Sequence, residues 1–327
     1  MALPGPDNSL LDIPGLKVGQ AENREVETGV TVILPDERAV CAVDVRGGGP
    51  GTRETDALAA HTLVDAVDAV VLSGGSSYGL ASADGVAASL GARGQGFGLI
   101  DLPGVPKSPV VPSAILYDLA NGGNKAWGEE PPYRELGKAA LAAAGEPLRL
   151  GRAGAGYGAR AGALMGGIGS ASIQTPDGLN AAAIVAVNSF GSVRIPGSEA
   201  YWAYPFEIDG EFGGIRPAAD LPSIGEDWGE AKVNPAPREN TTIALVATDI
   251  ALTPAQAQRV AIMAQDGFAR AIRPVHTPFD GDVVFALSTA QRDLPDPSDF
   301  TLARLGSLAA DCLARAIARG VHEAQSG

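Results

Sequence analysis

Asn240, Thr241 and Thr242 stand where a long stretch rich in proline, glycine and acidic residues, 196–240, runs into the apolar segment Ile243–Asp249. A loosely held approach to a core strand that opens on threonine brings a hydroxyl to the carbonyl of the residue before it. Attack there turns the Asn240–Thr241 amide into an ester, and hydrolysis of that ester frees an N-terminal threonine. Its α-amine, with an ordinary pKa of roughly 7.7–8.0, can act as base for its own hydroxyl. A self-made base matters in this chain. The three histidines, His61, His276 and His322, have no second histidine or cysteine at ligand spacing. That argues against a zinc site and against a serine–histidine pair. On residue types alone the alternative stays open, because a threonine at the start of a strand is also an ordinary β-former.

The whole chain must be able to position such a site. It has 327 residues, 45% of them hydrophobic, enough for a packed core. Its 43 glycines and 24 prolines are scattered through apolar segments, the pattern of an α/β protein with many tight turns. The formal charge of −14 disfavours nucleic acid and anionic membranes as partners. Cys41 and Cys312 lie far apart in apolar surroundings and read as buried small hydrophobes. With no basic, apolar leader and no apolar run of membrane-spanning length, a soluble cytoplasmic protein is expected.

Local patterning places the elements. Thr28–Pro35 and Ala39–Val45 read as the two strands of a hairpin around Asp36–Arg38. Asp56–Asp68 carries apolar residues at helical spacing. A short strand at Ala69–Leu72, a glycine-serine turn and a small-residue helix over roughly 78–90 follow. Gly151–Gly169 reads as tight turns between strands. It lacks the regular helix of a dinucleotide fingerprint and the lysine of a phosphate loop. Ala181–Val187 is a fully apolar strand ending at Asn188. The 196–240 stretch loses periodicity and reads as a long surface loop. After it, Ile243–Asp249, a helix started by Thr253-Pro254, a strand at Asp282–Ser288 and a C-terminal helix give strand–helix–strand–helix.

Several segments then resemble one family. RENTTIALVATD (Arg238–Asp249), HTPFDGDVVFALST (His276–Thr289), TGVTVILP, LSGGSSYGLASADGV (Leu72–Val86), VPSAILYDL (Val111–Leu119), GRAGAG and VNSFG occur in the order seen in self-processing N-terminal-nucleophile hydrolases. That family includes nylon-oligomer (6-aminohexanoate-oligomer) hydrolase, L-aminopeptidase/D-alanyl-esterase and the β-peptidyl aminopeptidases. The resemblance covers nearly the whole chain. It implies a four-layer αββα sandwich, a single domain that cleavage divides into 1–240 and 241–327, and a homo-oligomer, a tetramer of paired fragments. No cofactor or metal is implied.

The resemblance also implies roles. Thr241 is the nucleophile, freed by cleavage after Asn240. Asp280 and Asp282 match the nylon hydrolase's paired aspartates, although Asp-Gly-Asp is also an ordinary turn. Asn188, at a strand end, is placed to donate its amide to a developing oxyanion. Tyr117 matches a pocket tyrosine. Ser73–Gly79 is expected to line the substrate pocket through Ser76, Ser77 and Tyr78. One position departs: counting along the GRAGAG segment, Ala163 stands where the family has lysine. Alanine removes that cation: either this branch uses another, with Arg160 the nearest in sequence, or alanine at 163 is an engineered, inactivating change and the chain is expected to mature slowly or not at all. The implied substrates are linear ω-amino acid oligomers. Short α- or β-peptides cut by an aminopeptidase are the alternative, and a non-catalytic binding protein of the same fold the third.

Overall fold

The computed structural model of the protein describes residues 2–98, 100, 102–220, 228–232 and 240–326. Ten strands form two five-stranded sheets. The first has the spatial order β1 (Leu16–Asn23), β2 (Thr28–Pro35), β5 (Val70–Ser73), β6 (Ser113–Ile115) and β4 (Thr52–Arg53). The second runs β3 (Val40–Val45), β12 (Val283–Arg292), β11 (Thr241–Ile250), β10 (Asn180–Asn188) and β9 (Gly167–Gln174). A two-residue hairpin, β7 (Arg160–Ala161) and β8 (Leu164–Met165), stands apart. Helices α1 (Ala81–Ala92) and α2 (Tyr133–Ala142) cover the first sheet, and α3 (Pro254–Ala271) and α4 (Ser298–Gln325) cover the second.

Alternation along the strands divides the core into three apolar layers. Ala183, Val185 and Val187 of β10 and Ala244 and Val246 of β11 face α3 and α4. Their neighbours Ala182, Ile184, Ala186, Ile243 and Leu245 face the first sheet and meet Ile33, Val70 and Leu72. On the far side of that sheet Val30, Val32 and Val71 pack on Val86, Leu90 and Leu136. Successive strand side chains point to opposite faces, so a strand with no polar position is buried on both. The result is the four-layer αββα sandwich. Glycine is required where α4 lies on β9: a Cβ at Gly169 would fall 1.8 Å from the Ala316 carbonyl oxygen. The C-terminal strand–helix–strand–helix forms as expected, with Thr253 and Gln256 closing a capping box ahead of Pro254.

Some expectations fail, for physical reasons. β2 and β3 are not a hairpin. β2 pairs with β1 and β5, and β3 pairs with β12, so the chain changes sheets at Asp36–Arg38. Both runs are apolar enough to be central strands, and pattern alone cannot tell which partners they take. Asp56–Asp68 is not a helix beyond the turn Asp56–Leu58; Leu63 is exposed, and Val67 bridges to Ala39 instead. β1 and α2 were not anticipated. The 196–240 stretch has no regular element longer than the turn Tyr204–Phe206 among its described residues, 196–220, 228–232 and 240. It is not wholly a surface loop, because Tyr201 and Phe212 are buried against each other.

That stretch is tied to α4 by a buried ion pair. Arg315 Nε and Nη2 donate to the Glu211 carboxylate at 2.5 and 2.9 Å, and Nη1 donates to the Ser172 carbonyl of β9 at 2.7 Å. Arg319 Nε lies 3.6 Å from the same carboxylate. Glu211→Ala would leave two largely buried guanidinium groups without their counter-ion. Breaking such a pair from one side costs about 3–5 kcal/mol. Urea unfolding of E211A is expected to show a loss of that order, and a loss below about 1 kcal/mol would refute it.

Candidate active site

Three backbone facts put Thr241 at a corner of the sandwich. It is the first residue of β11, opposite Asn188, the last of β10, in antiparallel register. Both residues have the parity of the positions facing the first sheet. On its other side β11 runs parallel to β12, and that pairing extends outward as a bridge between Asn240 and Asp280. The register therefore sets Asn240, Thr241 and Thr242 beside the Asp-Gly-Asp turn. Asn188, Asn240, Thr241, Asp280 and Asp282 are all buried, at 0–2% exposure.

The Asn240 carbonyl is held twice. The Thr241 hydroxyl donates to its oxygen, and so does the Gly281 backbone N–H, at 3.0 Å. The Asn240 side chain is wholly buried, and neither its amide nitrogen nor its oxygen has a hydrogen-bond partner among the described residues. A buried polar group left unsatisfied costs about 1–3 kcal/mol, so this residue is held at some expense.

Two carboxylates flank the turn, each gripped by N–H groups. Asp280 accepts from the Phe190 N–H at 3.2 Å on one oxygen, and from the Thr277 N–H and hydroxyl at 3.0 and 2.6 Å on the other. Asp282 accepts from the Thr242 N–H at 2.9 Å. Its second oxygen takes the His276 N–H at 3.1 Å and lies 2.8 Å from His276 Nδ1. Burial and the neighbouring Asp282 charge push Asp280 up to about 6, against the pull of the Thr277 and Phe190 hydrogen bonds. The glycine run after β3 wraps the same turn: Gly49 N–H donates to the Asp280 carbonyl, and a Cβ on Gly47 would meet the Asp282 nitrogen at 2.2 Å.

The remaining expected residues are distributed as follows. Asn188 donates from Nδ2 to the Tyr117 carbonyl at 2.9 Å, and its Oδ1 accepts from the Arg160 N–H and from Asn121 Nδ2. Tyr117 thus reaches Asn188 through its backbone, and its half-buried ring follows β6. The Ser73–Gly79 turn joins the same edge, since Gly75 N–H donates to Asp118, next to Tyr117, and Ser76 N–H to Leu116. Ser77 and Tyr78 are exposed, with Tyr78 edge-on to Trp127. Ala163 is exposed at the β7–β8 turn, its N–H on the Glu230 carbonyl. Arg160 touches Asn188 through its amide. The guanidinium proposed as a substitute cation makes no such contact with Asn188 among the described residues.

Sequence reasoning missed Gly281, Thr277, Phe190 and Asn121, and it set His276 aside for want of a partner of the right type. The signal was present in the case of histidine, because HTPFDGD folds back on itself within seven residues. The backbone donors carry no side-chain signal. Among the described residues no cluster of three or more histidine, cysteine or acidic side chains could hold a metal, and no helix is long and apolar enough to cross a membrane.

Comparison with known proteins gives the family and the fold. The model of peptidase family S58 matches residues 8–327. A Mycobacterium tuberculosis protein named as an uncharacterized aminopeptidase is 41% identical, over 97% of this chain and 94% of its own. The 6-aminohexanoate-oligomer endohydrolase of a Kocuria species is 32% identical, over 92% and 80% respectively. Among solved structures, a Burkholderia β-aminopeptidase superposes with a TM-score of 0.71 at 21% identity, over 98% of this chain and 88% of that one. The Ochrobactrum anthropi L-aminopeptidase/D-Ala-esterase/amidase, described as a variant of the Ntn-hydrolase fold, gives 0.71 at 19% identity, over 99% and 88%.

The buried Asp280 carboxyl has a consequence that needs no substrate to observe. Its pKa in the folded protein, about 6, lies above the ordinary 3.8. The folded state therefore binds this proton more tightly than the unfolded state. The associated stability is fully present below the ordinary value and is lost as pH rises through about 6. Asp280→Asn removes this titration. The melting temperature of the parent is expected to fall relative to D280N between about pH 4 and 7, and parallel curves across that window would contradict the raised value.

Proposed function

Because the chain belongs to peptidase family S58, we propose that it is an amide hydrolase that makes its own nucleophile by cutting the Asn240–Thr241 bond. The observation that carries this reading is the state of the Asn240 carbonyl: its neighbour's hydroxyl lies on it, and a fixed backbone N–H from Gly281 points at its oxygen. Attack by Thr241 Oγ on the carbonyl carbon places negative charge on that oxygen, where a preorganised donor is most effective. Collapse expels the Thr241 nitrogen and leaves an ester. Water then hydrolyses the ester, releasing the Asn240 carboxylate and the free Thr241 amine.

In the mature site the amine is base for the Thr241 hydroxyl, which attacks a substrate amide to give an acyl-enzyme that water hydrolyses. Asp280, with a pKa near working pH, is suited to accept and return a proton. Asp282 holds the start of β11, and Asn188 backs the nucleophile at the sheet edge. Tyr117 and the Ser76–Tyr78 turn border the opening towards substrate. The fragments 1–240 and 241–327 remain one body, because β11 and β12 are interior strands of a shared sheet. A cytoplasmic homo-oligomer of paired fragments completes the proposal.

The substrates are short linear amides, in two classes. The 41% identical relative named as an aminopeptidase favours short peptides with a free amino end. The 32% identical endohydrolase favours oligomers of ω-amino acids. Hydrolysis of a free-amine dipeptide against an N-blocked 6-aminohexanoate oligomer separates them, since only an aminopeptidase requires the amine.

Alanine at 163 bears on how fast maturation occurs rather than on which bond breaks, so A163K is followed beside the parent. Denaturing mass spectrometry is expected to show the full chain replaced over time by fragments ending at Asn240 and beginning at Thr241, and Thr241→Ala is expected to stay whole. A parent and an A163K chain that both remain whole, with no labelling by a probe for N-terminal threonine, would overturn the reading in favour of a non-catalytic binding protein.

A further inference from the structure

The proposed chemistry leaves the side chain of His276 without a task. Its position is unusual. It is a non-glycine residue with φ +54°, in the left-handed region that costs a branched or bulky side chain about 1 kcal/mol or more. That backbone turn brings both its N–H and its ring Nδ1 to a single oxygen of Asp282, at 3.1 and 2.8 Å. The other oxygen of Asp282 takes the Thr242 N–H. The imidazole is partly open, at 23% side-chain exposure, while Asp282 is closed, at 1%. Phe268 of α3 packs against the ring, with centroids 5.8 Å apart.

We propose that His276 is a positioning residue: its Nδ1–H fixes the Asp282 carboxylate in the orientation that receives the Thr242 amide, and so sets Thr241 at the mouth of β11. This rests on the reading of Thr241 as nucleophile. His276 touches no reacting atom. Its ring donates to one carboxylate oxygen, the strand amide donates to the other, and the carboxylate is the rigid link between them. Without the ring one oxygen keeps only a backbone donor at 3.1 Å, and the carboxylate is free to rotate. Misplacement of a reacting group by about 1 Å costs on the order of 100-fold in rate.

The test uses two variants of the full chain, in whichever of the parent and A163K backgrounds converts. His276→Gly removes the ring while accepting the left-handed backbone. His276→Asn also accepts it and returns an N–H donor near the Nδ1 position. The expected result is conversion to the two fragments slowed about 10- to 100-fold in H276G and recovered to within about threefold in H276N. A purely space-filling role would not be rescued by the smaller amide. H276G converting at the parent's rate, or H276G and H276N equally slow, overturns the proposal.

The ring itself gives an independent reading by long-range proton–nitrogen spectra of histidine-labelled protein, in which H276N assigns the signal. The Nδ1–H tautomer, shifted by Asp282→Asn, supports the clamp, and the Nε2–H tautomer indifferent to D282N overturns it. Should no background convert, the self-cleavage reading falls, and the tautomer still decides whether His276 holds Asp282.

Discussion

The parallel register of β11 on β12 is the constraint on which the site depends. Ile243 lies beside Val283, and the same offset carried back by three residues sets Asn240 beside Asp280. From that single alignment follow the Gly281 N–H on the Asn240 carbonyl and the Asp282 carboxylate on the Thr242 amide. A slip of one residue would turn every β11 side chain to the opposite face, moving Ile243 and Leu245 out of the layer between the sheets. The apolar alternation of an interior strand thus enforces the geometry of the polar groups just beyond its end. Packing energy is spread over many residues, and the site inherits its precision from them.

The two aspartates show how a similar residue is given different surroundings. Both are closed to solvent and both are gripped by backbone N–H groups. Asp280 has a threonine hydroxyl as its side-chain partner and sits where burial and a like charge raise its proton affinity. Asp282 has a histidine ring and the Thr242 amide at the start of β11. A carboxyl near neutrality suits proton transfer, and one locked between two donors suits holding geometry.

Much of this was legible in the sequence, and the limits have physical causes. The stretch from Thr241 onward was readable because Thr253-Pro254 caps a helix and the apolar runs on either side are long. Thr241, Asp280, Asp282, Asn188 and Tyr117 were expected as a set, and the fold brings all five to one corner of the sandwich, Tyr117 through its carbonyl. The partnership of Thr28–Pro35 was misread because strand pairing is non-local: the neighbour in sequence, β3, belongs to the other sheet. The helix expected over Asp56–Asp68 failed although its apolar spacing is helical, because Val67 is drawn into a bridge with Ala39 and Leu63 is left in water. The donors from Gly281 and Phe190 were invisible, since any residue supplies a backbone N–H and only the fold aims it.

β11 and β12 occupy the middle of the second sheet, flanked by β3 on one side and β10 on the other. A cut before Thr241 would therefore produce a small piece whose two outer strand edges are already committed to the larger one. Neither piece could exchange with a copy from another molecule without exposing the full length of an interior ladder. The two products would behave as a permanently matched couple, their one-to-one ratio inherited from a single act of translation rather than set by binding equilibrium.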